Sequence, residues 1–65
     1  MRTFKQYETI AKDLIKDCVF TSTKDINKAI AKRMIDMIEK EADLEGISWT
    51  QEKALRDKVW NKYLR

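Results

Sequence analysis

Apolar residues recur through most of this chain at helical spacing, and three amphipathic segments follow from that recurrence. The longest, Lys24 to Leu44, reads KDINKAIAKRMIDMIEKEADL and contains neither Gly nor Pro. Wound at about 100° per residue, it sets Ile26, Met37, Ile30, Met34, Ile38, Ala31, Ala42 and Ile35 in angular order on one arc, with Ala29 at the leading edge. That arc covers about 240°, against the ~100° stripe of an ordinary surface helix. A helix so broadly apolar needs cover on two sides. Either two further helices of the chain supply it, or one helix and a second molecule do.

The flanking segments supply candidates for both sides. Thr3 followed by Gln6 matches a capping box, so a first helix is expected from Phe4 to about Val19. Phe4, Tyr7, Ile10, Ala11, Leu14, Ile15, Cys18 and Val19 fall on one half of it; Lys5, Thr9, Lys12, Asp13 and Lys16 fall on the other. Phe20 to Thr23 forms a link whose hydroxyl side chains compete with the helical backbone. Ser22 or Thr23 then caps the central helix, with Asp25 in its electropositive first turn. Gly46, the only glycine, stands where a left-handed residue would stop that helix, and Ile47 beyond it is placed to pack back. A third helix starts after Ser48, which matches a capping box with Gln51, or after Thr50, which would set Trp49 against Ala54 as a hydrophobic staple. It carries a Leu55–Val59–Tyr63 stripe and a second stripe of Trp60 and Leu64, with Arg56 between them and Glu52 in reach of Arg56 at i, i+4.

The expected fold is therefore all-α: a three-helix up-down-up antiparallel bundle with helices over about 4–19, 23–45 and 49–64. It forms a single domain over residues 1–65, with a homodimer permitted but not required. Sixty-five residues with no proline, starting at Met1 and free of low-complexity runs, suit a complete small reading frame built of helices and tight links. For a chain this size a first-pass stability sum comes out near zero, so good packing or oligomerisation has to supply the margin.

Composition removes most chemistry. There is no His, hence no imidazole base or metal ligand, and Cys18 has no His to activate it. The single cysteine permits no internal disulfide, and its place between Leu14 and Ile15 on the apolar arc predicts a core role. Glu39, Glu41, Asp43 and Glu45 lack the spacing of a calcium loop and read as a solvated acidic face or an acidic docking patch. One glycine cannot build a phosphate loop. The expectation is a protein with no enzymatic activity, no cofactor, no metal and no small-molecule substrate. With no apolar run near the ~18 residues that span a bilayer and no signal-peptide pattern, a cytoplasmic location is expected.

Charge adds one further feature. The net charge of +3 divides into +4 over residues 1–35, −5 over 36–52 and +4 over 53–65. In the expected bundle the basic blocks gather at one end of the rod and the acids at the other, near Arg2 and Lys5. Two binding modes follow. In the first, a protein partner docks on helix 3 through Trp49, Arg56, Trp60, Tyr63 and Leu64, a Trp/Tyr/Arg mixture typical of interface hot spots. The competing reading is that the tryptophans close the core. Met34 and Met37 divide in the same way between core filler and an adaptable groove. Such a module would be an adaptor, inhibitor or accessory subunit, of a size that suits a phage- or plasmid-borne protein acting on a host target.

The alternative is nucleic-acid binding by the basic end, through Lys16, Lys24, Lys28, Lys58, Lys62 and Arg65. Ser22 to Ile30 resembles the opening helix of a helix-turn-helix, but Ala31-Lys32-Arg33-Met34 continues the helix where that motif turns.

Overall fold

A computed structural model describes residues 2–65, and among them the chain is all-helical, with no strand. Helix α1 spans Phe4–Ile15, α2 spans Thr23–Glu45 and α3 spans Trp49–Val59, the last running into a π-helical turn over Trp60–Leu64. The molecule measures 37 × 23 × 16 Å.

Each start is set by a hydroxyl cap. Thr3 and Gln6 form the reciprocal capping box: the Thr3 N–H donates to Gln6 Oε1 at 2.9 Å, and the Gln6 N–H donates to Thr3 Oγ1 at 3.2 Å. Ser22 caps α2, accepting from the Asp25 N–H at 3.2 Å. Ser48 caps α3, accepting from the Gln51 N–H at 3.4 Å, which selects it over Thr50. Gly46 ends α2 in the left-handed region at φ 66°, and the Gly46 and Ile47 N–H groups both donate to the Ala42 carbonyl.

The core joins Tyr7, Ala11 and Ile15 of α1 to Ile30, Ala31, Met34 and Ile38 of α2 and Val59 of α3. Ala29, Ile35 and Met37 pack at its margin, so the wide arc of α2 is covered from two directions. Met34 is wholly buried and Met37 partly so, which makes Met34 a core residue.

Helix 1 is shorter than the apolar pattern implies. It ends at Ile15, and the Cys18 N–H closes a tight turn onto the Ile15 carbonyl at 3.0 Å. Asp17 would stand at the negative pole of a longer helix. Phe20 must also fold back onto the core before Ser22 caps the next helix. Cys18 is consequently exposed rather than a core residue, Val19 is 97% exposed and Leu14 points largely to solvent.

Candidate partner-binding face

The exposed side of α3 is built by spacing. Trp49, Lys53, Arg56 and Trp60 follow one another at intervals of four, three and four residues, which puts them on one stripe of the helix. With Ile35 of α2 and Asp57 they line a surface groove of about 310 Å³. Trp49 is 68% and Trp60 58% exposed, so neither closes the core. Lys53 Nζ lies 5.5 Å from the centroid of the Trp49 ring, within reach of its π face. Arg56 is held from two sides, by Glu39 of α2 at 3.5 Å and by Glu52 at 3.9 Å; Lys53 pairs with Asp57 at 4.0 Å. The tryptophans thus stand among charges that already have partners.

The π turn, with its i to i+5 period, carries Leu64 round toward the buried Val59. Trp60 and Leu64 would share a stripe in an α-helix. In the wider turn Leu64 and Tyr63 both pack against the core while Trp60 stays outside. Of the five partner-binding candidates, then, Trp49, Arg56 and Trp60 share the face. Tyr63 and Leu64 support it from within and line a different groove, with Lys24, Asn27, Lys28 and Arg65.

The basic end is likewise divided. Lys24, Lys28 and Arg65 share that second groove. Lys62 instead turns toward α1, pairing with Glu8 and lying 5.6 Å from the Phe4 ring centroid. Lys16 pairs with Asp13 at 3.2 Å, and Lys58 is exposed on α3.

Two carboxylates tie the helices together: Glu8, which no expected site includes, and Glu41, a member of the acidic face expected near Arg2. Glu8 accepts from the Tyr63 hydroxyl and pairs with Lys62, joining α1 to the π turn. Glu41 accepts from the buried Tyr7 hydroxyl and pairs with Arg2, joining α1 to the end of α2. The hydrogen bonds from Lys62 and Tyr63 hold the Glu8 carboxyl below its ordinary pKa, while burial, reinforced by Glu8, raises that of Tyr63. Burial also raises Tyr7. Register alone would have exposed both carboxylates: Glu8 stands four residues after Phe4 and three before Ala11, and Glu41 four after Met37 and three after Ile38. A carboxylate inside an apolar arc requires a buried donor.

No helix among the described residues is long and apolar enough to cross a membrane. No family model matches the chain, and no curated protein or solved structure matches it.

Proposed function

We propose that this chain is a small non-enzymatic protein-interaction module that receives a protein partner on the Trp49–Arg56–Trp60 face. The observation that carries the reading is the pair of exposed tryptophans on one stripe of α3, with Arg56 between them and Ile35 at the base of the groove. Large aromatic rings held in water are costly, and with arginine they make the residues most often found at the energetic centre of an interface. The arrangement that presents them is an up-down-up bundle. Contacts between both helix pairs support it: Arg2 and Tyr7 at the start of α1 meet Glu41 near the end of α2, and Arg56 lies beside Glu39 while Arg65 shares a groove with Lys24 and Lys28. We place its action in the cytoplasm, as an adaptor or accessory subunit, and the same face is open to a second copy.

Protein binding is preferred over nucleic acid because the cations beside the tryptophans are already paired, whereas a polyanion stacking on those rings would need free cations next to them. Trp60→Ala tests the reading. Immobilised wild-type chain should retain a partner from extracts of its native cell that the Trp60→Ala chain, equally folded by circular dichroism, does not. Equal retention by both would remove the face from the interface.

A further inference from the structure

Three grooves lie along the α2–α3 seam, and their charges differ from end to end. Lys24, Lys28 and Arg65 line the first, with no Asp or Glu side chain among the lining residues. Ile35, Trp49 and Trp60 give the middle groove its apolar floor and walls. Glu39, Asp43 and Glu52 line the third, against the single cation Lys40. Glu39 and Glu52 share one guanidinium, that of Arg56, which leaves this end negative. On α2 the sequence Lys24, Lys28, Ile35, Glu39, Asp43 advances by four, seven, four and four residues, so all five lie on one side of the helix.

The spacing has a two-fold property. Lys24 with Asp43, and Lys28 with Glu39, are two pairs centred on one point, between Arg33 and Met34. At the helical rise the members of these pairs stand about 28 Å and about 16 Å apart. A second chain rotated by a half turn about an axis through that point would set its Asp43 over Lys24 and its Glu39 over Lys28. The same contacts recur at the other end, each chain's Ile35 faces the aliphatic stem of the other's Lys32, and the Trp49–Trp60 grooves lie on either side of the axis. A charge pattern that complements itself under rotation is what a closed isologous dimer requires. We infer that the partner of the α2–α3 face is a second copy of this chain, docked antiparallel along α2 with Trp49 and Trp60 flanking the contact. This rests on the partner-binding reading above and names its occupant. Other proteins and nucleic acid are the competing occupants.

Sedimentation equilibrium with charge-reversed chains decides it. The intact chain should sediment at twice its 7.8 kDa mass and dissociate progressively as salt is raised. The double variant Lys24→Glu/Lys28→Glu carries acids at both ends of the seam, and Glu39→Lys/Asp43→Lys carries bases at both. Each alone should lose about tenfold or more in dimer affinity. An equimolar mixture should recover a heterodimer, since each variant now complements the other. All four positions are exposed, and circular dichroism of each variant verifies its fold. A wild-type chain that stays monomeric at about millimolar concentration overturns the dimer while leaving a different protein partner for the Trp60 face. Dimers insensitive to these reversals, or a mixture that fails to pair, also overturn it. So does a wild-type monomer whose tryptophan fluorescence is quenched by a thymidine oligonucleotide in a salt-dependent way, which would assign the seam to nucleic acid.

Discussion

Met34→Ala is expected to lose about 2–5 kcal/mol, the range for truncating a fully buried large apolar side chain. Met34 is 0% exposed, at the middle of α2, within the cluster where α1, α2 and α3 meet. A chain of this length holds about 3–10 kcal/mol in total, so the variant should melt at least about 10 °C lower or fail to fold at 37 °C. Met34→Leu, close to volume-conserving, should cost less than ~1.5 kcal/mol. Urea unfolding followed by circular dichroism separates the two. Near-equal losses for both variants would show that the site is not a packed core.

Glu8→Ala should be the largest effect outside the apolar core, about 1–3 kcal/mol, because it leaves a half-buried Tyr63 hydroxyl and Lys62 without their acceptor. The Glu8 side chain is only 14% exposed, so water replaces those bonds poorly. Glu8→Gln carries the pH test. The folded-state pKa of Glu8 is depressed, so its ionised form contributes stability that is complete above the unfolded value of about 4.3 and lost as pH falls through the folded value. The stability gap between wild type and Glu8→Gln should therefore be full at pH 7 and narrow below about pH 4. A gap that stays constant across that window would mean the Glu8 charge is not the stabilising element.

These residues mark how far the pattern of the chain carries. The boundaries of α2, the Gly46 stop, the Thr3 and Gln6 capping box and the Arg56–Glu52 pair were all legible, because each depends on residues within one turn of each other. The end of α1 was not. Helical periodicity continues through Cys18 and Val19, while Asp17 at the negative pole and the need for Phe20 to reach the core before Ser22 caps α2 oppose it. Register places Glu8 inside the apolar arc of α1 and so marks it as needing a donor, but its donors, Lys62 and Tyr63, come from the other end of the chain and register does not name them. The π turn has no local signal such as Pro, yet it decides that Trp60 faces out while Leu64 packs in. Of the candidate face, the residue types could be read from α3 alone. Their division between surface and support depends on tertiary packing. Turns of this kind are frequent at functional sites, which fits a segment that sorts an exposed ring from two packed ones.

Trp49 and Trp60 belong to the surface and not to the core. Thermal unfolding of Trp60→Ala beside wild type, at a dilution where both are monomeric, tests it most directly. The variant should unfold within about 1 kcal/mol of wild type, as an exposed substitution does. A loss of ~3–5 kcal/mol, the cost of truncating a buried tryptophan, would place Trp60 in the core instead.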